Sequence, residues 1–378
     1  MKVLILDTRP LRRGAQIFAH DLSNALISRR QLEVKKIYLY DVKQGELIDI
    51  NPQDEVLGGN DQHITEKFPT VHPQLLHRLV KRINAFQPDV ILLNGSRTLK
   101  YSAAANPFLR KKPKVVYRVI DSAAFWNNEG YKQLYYRRLV MPHIDGAVGV
   151  SAASLADMKQ LHQFKKPTVV IHRAIDVDQF KTTPDRTTCR QELGINENVK
   201  IVVLLGNLTL QKRPDRFISL IHEIRKGVPQ IRGWIIGDGP LRAQIEDQVN
   251  KLGVEENIVF YGYRKQVGKF LQAADLLFLT SDTEGLPGVV LEAAFFGVPA
   301  ISTRVGGVAE CIEDGQSGYI VPLWEQELFL DRAIALLNDE EMRNRMGRSA
   351  RDKVLEAFTV DKIVNDYHRF FKHLVERI

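Results

Sequence analysis

The most informative part of the chain for its fold is the stretch SDTEGLPGVVLEAAFFGVPAISTRVGGVAE, residues Ser281–Glu310. The apolar run Leu276–Leu279 directly before it predicts a buried parallel strand. A turn follows, and a helix is predicted over residues 289–296, just after Pro287. Because a strand, a turn and a helix in this order aim free backbone N–H groups at an anion, the stretch indicates a phosphate site.

Two carboxylates lie on either side of the predicted helix start. Glu284 is in the turn and Glu292 is inside the helix. A carboxylate accepts strong hydrogen bonds from hydroxyl groups, and a sugar nucleotide carries hydroxyls on both sides of its diphosphate. The pair is therefore suited to a sugar nucleotide, whereas either glutamate alone is more typical of a solvated surface position.

The composition is that of a globular protein with two domains. The chain has 378 residues, 44% of them hydrophobic, and its 53 basic and 45 acidic side chains leave a net charge of +8. This charge suits an acidic ligand, an anionic membrane surface or a nucleic acid, but no nucleic-acid recognition motif is present and no nucleic-acid partner is predicted. The N-terminal residues are not typical of a signal peptide and no apolar run approaches a membrane span. Two cysteines, Cys189 and Cys311, suit a reducing compartment, so we expect a cytoplasmic protein.

Predicted strands alternate with predicted helices in both halves, which is typical of doubly wound parallel sheets. We therefore expect an α/β protein with two Rossmann-like domains, residues 1–175 and 176–360, that face each other across a cleft. A last helix at about residues 361–378 is expected to pack back on the first domain. Strands are predicted at residues 2–7, 34–40, 90–93, 115–120, 146–150, 169–172, 200–205, 234–236, 258–261, 276–279, 300–303 and 319–321.

Glycines and a lysine follow several of the predicted strands. Gly14 at the start of the first helix allows a ligand to approach closely, although a plain strand–helix turn explains it equally well. Lys212 can reach a phosphate as a point charge, but a lone lysine in a loop is more often solvated. The turn Gly237–Pro240 is predicted to open a helix with Pro240 at its first position, yet it lacks the third glycine and the acidic residue of a dinucleotide-binding fingerprint.

No metal site is predicted. Asp176 and Asp178 have the spacing of a metal-binding Asp-x-Asp pair, but no predicted strand ends at them and a surface turn is the preferred interpretation. The sequence has no cluster of His and Cys suited to zinc and no Gly-x-x-x-x-Gly-Lys-Ser/Thr loop of a P-loop nucleotide triphosphatase.

The second half resembles the nucleotide-sugar domain of the family-four retaining glycosyltransferases (glycosyl transferases group 1), which have the GT-B fold. The resemblance covers nearly all of residues 195–355, and the first half matches more loosely. Its motifs in the second half are Gly206…Lys212, Gly237-Asp238-Gly239-Pro240-Leu241, Glu284-Gly-Leu-Pro…Glu292, Gly297-Val-Pro, Gly306-Gly307…Glu310 and Asp314-Gly315…Gly318. In the first half they are Arg13-Gly14-Ala15-Gln16, Pro88-Asp89-Val90, Val150-Ser151 and His172-Arg173-Ala174-Ile175-Asp176.

The resemblance implies a metal-independent, retaining hexosyltransferase that moves a sugar from a nucleotide-diphosphate sugar, most simply a UDP-sugar, to a glycan or lipid-linked acceptor in cell-surface polysaccharide or glycolipid synthesis. The first domain would bind the acceptor and the second the nucleotide sugar. Glu284 would hold the donor sugar, Glu292 the ribose and Lys212 the departing diphosphate. Asp121 takes the position of a family histidine, and Arg213 would replace a phosphate contact that the family often makes at the position of Asn207. The implied donor-binding residues are Gly14, Asn207, Lys212, Arg213, Gly237, Glu284, Gly285, Leu286, Pro287, Gly288 and Glu292.

Two other functions stay open. A UDP-sugar epimerase with the GT-B fold is the alternative among enzymes, and loss of a UDP-sugar without release of UDP would favour it. A non-enzymatic nucleic-acid binder is suggested by the net charge alone. Basic residues, in part beside aromatic ones, in residues 78–82, 111–114 and 135–140 also predict a peripheral contact with an anionic membrane, unless they form ordinary solvated faces.

Overall fold

The computed structural model describes residues 1–11, 14–42, 47–48, 50–58, 71–120, 130–323 and 325–376. The chain divides into two compact units. Unit 1 consists of Met1–Ala174 together with Val360–Ile378, and unit 2 consists of Ile175–Thr359.

In its described residues, unit 1 contains a parallel sheet of seven strands. These are β1 (Lys2–Asp7), β2 (Glu33–Tyr38), β3 (Glu55–Val56), β4 (Val90–Asn94), β5 (Lys114–Val119), β6 (Gly146–Gly149) and β7 (Thr168–Val170). Their order in the sheet is β3-β2-β1-β4-β5-β6-β7. The central strands are nearly continuous apolar runs because side chains on both faces of the sheet are buried.

Helices cover both faces of this sheet. They are α1 (Gly14–Arg30), α2 (Pro73–Phe86), α3 (Leu99–Ala105), α4 (Gly130–Tyr135), α5 (Ala152–His162) and, near the end of the chain, α14 (Val360–Glu376). A π-helical turn, Tyr136–Val140, follows α4. On one face Phe18 of α1 packs against Tyr367 of α14, with ring centroids 6.2 Å apart, and on the other face α2, α3 and α5 form a second apolar layer.

In its described residues, unit 2 contains a parallel sheet of six strands with the order β10-β9-β8-β11-β12-β13. Its strands are β8 (Lys200–Leu205), β9 (Ile231–Ile236), β10 (Ile258–Gly262), β11 (Leu276–Leu279), β12 (Ala300–Thr303) and β13 (Gly318–Val321). Its helices are α6 (Arg186–Glu192), α7 (Pro214–Ile224), α8 (Arg242–Leu252), α9 (Gly268–Ala273), α10 (Gly288–Phe295), α11 (Val308–Cys311), α12 (Gln326–Asn338) and α13 (Glu340–Ala357). The core joins α7 and α12 to the sheet through Phe217, Phe278 and Phe329.

The two parallel sheets with their helices confirm the predicted Rossmann-like α/β fold class. Every predicted strand is present, with bounds that differ by at most three residues. The prediction missed β3 and the short helices α3, α4, α6 and α11, each of which is no longer than seven residues. It also placed Pro240 at a helix start, whereas α8 begins at Arg242 and Pro240 belongs to the turn.

None of the helices in the described ranges is both long enough and apolar enough to cross a membrane.

Candidate functional site

The candidate site lies where the strand order of unit 2 reverses. β8 and β11 are neighbours in the sheet, although β9 and β10 come between them in sequence. The loop after β8 carries Lys212, and the turn after β11 carries Glu284. The Lys212 ammonium donates a hydrogen bond to Glu284 Oε1 at 2.5 Å. Open α/β sheets bind ligands at such a switch point, so two predicted site residues meet where a ligand is expected.

This ion pair is only partly shielded from water. The side chain of Lys212 is 27% exposed and that of Glu284 is 9% exposed. Partial burial lowers the local dielectric, which strengthens the interaction of both charges with a ligand. The pair therefore combines electrostatic strength with access from solvent.

Hydrogen bonds from the residues around it hold the Glu284 side chain in place. The Ser281 hydroxyl donates to Glu284 Oε1 at 2.6 Å, which is the same oxygen that Lys212 contacts. Ser281 is held in turn, because the Thr303 hydroxyl donates to its carbonyl oxygen at 2.6 Å. The carboxylate is thus fixed by residues that follow β11 and end β12.

Two glycines support the main chain of the same turn. The Gly307 N–H donates to the Gly285 carbonyl at 2.8 Å. Gly306 has a φ of +48°, and a Cβ there would lie 1.6 Å from the Glu284 carbonyl oxygen. Only glycine tolerates both conditions, which explains the glycine at position 306 beside the Glu284 turn.

The Lys212 loop is tied to the turn after β11 through main-chain atoms. The Thr280 hydroxyl donates to the carbonyl oxygens of Lys212 and Arg213, at 3.1 Å and 3.0 Å. The Asp282 N–H donates to the Gln211 carbonyl at 2.8 Å. The lysine therefore projects from a well-anchored loop.

Arg213, a predicted phosphate ligand, contacts two carboxylates. Its guanidinium lies 2.7 Å from Asp215 and 3.3 Å from Asp282, and the hydrogen bonds to Asp215 hold its pKa above the ordinary value. Asp282 also pairs with Arg216 at 2.7 Å. These ion pairs fix the start of α7 beside the Lys212 loop, and a phosphate contact of Arg213 stays a prediction.

The predicted glycine turn after β9 packs directly on the loop after β8. A Cβ on Gly237 would lie 1.9 Å from the Gly206 carbonyl oxygen, and one on Gly239 would lie 2.6 Å from the Leu208 carbonyl oxygen. This close backbone approach requires glycine. Asn207, at the tip of the supported loop, is exposed.

The helix that follows the Glu284 turn begins at Gly288, one residue before the predicted start. Its N-cap residue Pro287 makes no side-chain capping bond, and the first turn contains no acidic residue, so the positive end of the helix dipole is suited to an anion. Gly285, Leu286, Pro287 and Gly288 are buried, and Glu292 is half-buried one turn further along.

Two predicted site positions belong to unit 1. Gly14 opens α1, and a Cβ there would lie 3.1 Å from Nη1 of Arg173, so a cation stands beside the helix start. Asp121 lies outside the described residues, and its predicted role stays a prediction.

The Asp-x-Asp sequence forms the turn that the sequence favoured. The Asp176 carboxylate caps the short helix Val177–Phe180 by accepting a hydrogen bond from the Asp178 N–H at 3.1 Å. Within the described ranges, no group of three or more His, Cys, Asp and Glu side chains is arranged to hold a metal ion.

Sequence reasoning did not single out Ser281 and Thr303. Ser281 stands three residues before Glu284, but a serine in a turn is too common to attract notice. Thr303 reaches the site only because β12 lies beside β11 in the sheet.

These features define a doubly wound α/β protein with a partly exposed lysine–glutamate pair at the switch point of unit 2. Two family models match it, one in each half: Glycosyl transferases group 1 matches residues 185–353, and Glycosyltransferase Family 4 matches residues 12–179. The chain belongs to this glycosyltransferase family, which confirms the resemblance inferred from the motifs.

Curated relatives share moderate identity with the chain. It is 34% identical over 226 residues to N-acetyl-alpha-D-glucosaminyl L-malate synthase of Bacillus anthracis, covering 59% of this chain and 58% of that protein. It is 36% identical over 160 residues to the Vi polysaccharide biosynthesis protein VipC/TviE of Salmonella typhi, covering 41% of this chain and 28% of that protein. The chain thus spans less than two thirds of the length of these relatives.

Among solved structures, the crystal structure of Anabaena HepE in complex with UDP and glucose matches with a TM-score of 0.82. The match covers 99% of this chain and all of that one at 21% identity. At that identity the similarity establishes the fold.

Proposed function

We propose that the protein is a retaining glycosyltransferase that moves a sugar from a UDP-sugar to a glycan or lipid-linked acceptor in cell-surface polysaccharide or glycolipid synthesis. The observation that carries this proposal is the contact between Lys212 and Glu284 at the switch point of unit 2. It joins a cation for the diphosphate to a carboxylate for the donor sugar. The family supports the reaction class, and the fold similarity to HepE, whose structure contains UDP and glucose, supports the nucleotide.

The charges that develop during the reaction explain the residues. Breaking the bond between the anomeric carbon and the diphosphate oxygen builds positive charge on the sugar ring and negative charge on the diphosphate. Lys212 and the first turn of α10 meet the negative charge. Glu284 accepts hydrogen bonds from the sugar hydroxyls, and Glu292 accepts them from the ribose.

The configuration at the anomeric carbon is retained if the acceptor hydroxyl attacks from the same face of the sugar that the diphosphate leaves. The acceptor oxygen then bonds to the anomeric carbon, and its proton passes to the departing diphosphate oxygen. This route uses no protein nucleophile and, because Lys212 meets the charge of the leaving group, we propose that it uses no metal ion. Asp121 takes the role of the family histidine in this proposal.

The acceptor is assigned to unit 1 by family resemblance. The name of the Salmonella relative concerns the biosynthesis of a polysaccharide, and that of the Bacillus relative concerns the joining of an amino sugar to malate. Both names support a biosynthetic transferase, and the name of the Salmonella relative supports a polysaccharide product.

A panel of UDP-, GDP- and ADP-sugars tests the proposal, with thermal shift as the first measurement and slow release of the nucleoside diphosphate as the second. We expect a UDP-sugar to give the largest shift and to release UDP. The Glu284→Ala variant should lose this hydrolysis, whereas the exposed control Glu255→Ala should keep it. Wild-type turnover of every sugar nucleotide by Glu284→Ala would refute the site, and consumption of a UDP-sugar without UDP would indicate an epimerase.

We also propose that unit 1 rests on the anionic inner face of the cell membrane. Phe108, Leu134 and Leu139 are 63%, 49% and 60% exposed, and the exposed Arg137 and Arg138 lie between the two leucines. We call these five residues the basic–apolar surface. Exposed apolar side chains beside arginines suit the boundary between acyl chains and acidic headgroups.

The contacts of unit 1 refine the three predicted basic stretches. The side chains of Asn106 and His143 are bonded at 2.9 Å, which joins the segment of Phe108 to the segment that follows the π-helical turn. In the first stretch, by contrast, Arg82 pairs with Glu55, and Arg78 donates to a backbone carbonyl. In the second stretch, Lys111 likewise pairs with Asp89, and Lys112 donates to the Asn106 carbonyl. The membrane contact is therefore assigned to the basic–apolar surface, which takes its arginines from the third stretch.

Sedimentation with vesicles tests this contact. At low salt we expect phosphatidylglycerol vesicles to retain more protein than phosphatidylcholine vesicles, and we expect the double variant Leu134→Gln/Leu139→Gln to lose the difference. Leu323→Gln, at an exposed leucine of unit 2, is the matched control. Equal binding to both vesicle types would refute the contact.

A further inference from the structure

Glu284 Oε1 accepts two hydrogen bonds, and the proposed reaction explains only one of the donors. Lys212 Nζ is 2.5 Å away and Ser281 Oγ is 2.6 Å away. In the part of the chain that the structure describes, no hydrogen bond reaches Oε2 of the same carboxylate. One oxygen is therefore fully engaged by the protein, while the other can accept from a sugar hydroxyl.

Ser281 differs from Lys212 in how rigidly it is held. It is completely buried, and its carbonyl oxygen accepts the 2.6 Å bond from the Thr303 hydroxyl. The lysine ammonium sits at the end of a flexible four-carbon stem and is 27% exposed. A ligand phosphate can therefore draw the ammonium away, whereas the serine hydroxyl stays where the sheet holds it.

We infer that Ser281 is a positioning residue for the donor sugar: it keeps the Glu284 carboxylate in place when Lys212 turns to the diphosphate. The inference rests on the proposed function, because it requires that Lys212 meets the diphosphate. A hydrogen bond to an ionised carboxylate is stronger than one between neutral groups, so a single hydroxyl is enough to hold the side chain. Recognition of the sugar thus depends on a residue that touches neither sugar nor phosphate.

Calorimetric titration of the full chain with UDP, and with the UDP-sugar that gives the largest thermal shift, tests the inference. In Ser281→Ala we expect the affinity for UDP to stay within about twofold of wild type and the affinity for the UDP-sugar to fall by about tenfold or more. If Ser281 had only a structural role, Ser281→Ala would lower the affinities for UDP and for the UDP-sugar equally. Ser281→Thr retains a hydroxyl, so it should recover part of the UDP-sugar affinity that Ser281→Ala loses.

Two further variants separate positioning from general loss of a buried hydroxyl. Ser302 is also fully buried and donates to the Thr303 carbonyl at 2.9 Å, so Ser302→Ala removes a similar group without touching Glu284. It should leave the ratio of the two affinities unchanged. Thr303→Val removes the support of Ser281 and should shift the ratio in the same direction as Ser281→Ala, by less.

A crystal structure with UDP alone gives a readout that does not depend on the sugar. We expect Lys212 on the diphosphate and Glu284 Oε1 still within hydrogen-bond distance of Ser281. A carboxylate that swings away from Ser281, or an equal loss of UDP and UDP-sugar affinity in Ser281→Ala, overturns the inference. Failure of the proposed function looks different, since the wild-type protein would then release no UDP from any sugar nucleotide.

Discussion

The two units share the same strand order around their first strand, yet their switch points hold different polar groups. In unit 1, the side-chain amide nitrogen of Asn94, at the end of β4, donates to Asp7 at the end of β1 at 2.5 Å, and Arg118 donates to the side-chain Oδ1 of Asn94 at 2.8 Å. All three are at most 2% exposed. In unit 2 the corresponding pair, Lys212 and Glu284, is partly open to solvent.

Burial decides what each cluster can do. It raises the pKa of Asp7 and lowers the pKa of Arg118, because a charge loses its hydration inside the protein. The oxygens of Asp7 are also occupied, since Thr8 N–H and Gln16 donate to Oδ1 at 2.6 Å and 3.0 Å. A ligand would have to break these bonds, so the buried cluster of unit 1 is less suited to binding a ligand than the partly exposed pair of unit 2.

Two substitutions, one at each switch point, test this comparison most directly. We expect one to reduce activity and the other to reduce stability. Lys212→Ala should lower kcat/KM for donor hydrolysis by about 100- to 1000-fold, or about 2.7–4 kcal/mol, because the leaving group loses its counter-charge. The free energy of unfolding should change by less than about 1 kcal/mol, as for a partly exposed ion pair. Asn94→Ala should instead cost about 2–3 kcal/mol of unfolding free energy, since it takes away the amide that links Asp7 to Arg118.

Steady-state kinetics and urea denaturation measure the two quantities, and Lys226→Ala, at an exposed lysine paired with Glu223, is the control for the loss of a surface charge. A large stability loss in Lys212→Ala with activity retained would reverse our assignment of the two switch points.

Gly306→Ala sharpens the comparison by disturbing only the support of the Glu284 turn. The new Cβ would collide with the Glu284 carbonyl oxygen, so we expect a loss of about 3 kcal/mol in stability and loss of UDP-sugar binding. Gly315→Ala is the matched control, because Gly315 has a φ of +78° and a Cβ there would meet no atom of the described residues within 4 Å. It should cost only about 1 kcal/mol. Equal effects of both variants in thermal denaturation would mean that backbone strain, rather than the contact, makes Gly306 necessary.

Acid should destabilise unit 1 through a buried histidine. Burial lowers the pKa of His162 to about 4, and neither ring nitrogen has a hydrogen-bond partner among the described residues. Because the folded pKa is below the unfolded value of about 6.5, the stability that the neutral ring contributes is present above pH 6.5 and is lost as the pH falls towards 4. The loss should be about 2 kcal/mol between pH 7 and pH 5.

His162→Leu should flatten this part of the pH profile in urea titrations, because the substituted side chain takes up no proton. Leu is apolar and of similar size, so the variant should still fold at pH 7. The same acid loss in wild type and variant would show that other groups dominate the titration.

Local sequence predicted the strands and the Glu284 turn well because they depend on neighbouring residues. Apolar runs define β8 and β11, and Pro287 fixes the start of α10. The charged residue types at the site were also predictable, since a carboxylate and a lysine each follow an apolar strand.

The pairing of side chains could not be predicted in the same way. Lys212 and Glu284 are 72 residues apart and meet only because β8 lies beside β11. The salt bridge of Arg213 with Asp282 depends on the same neighbourhood. Such contacts follow from the strand order, which the pattern of apolar residues does not determine.

The path of the chain into and out of unit 2 has a consequence for how the molecule is made and altered. Ile175 N–H donates to the Phe358 carbonyl at 2.8 Å, and Ile175 also bridges to Thr359, so entry and exit lie side by side. Unit 2 is therefore one continuous segment of the chain whose two ends are adjacent, so the segment can be exchanged for that of a related protein with only two junctions. Unit 1, by contrast, has α14 in its core, and α14 follows unit 2 in the sequence. The ribosome therefore synthesises all of unit 2 before the core of unit 1 can be completed.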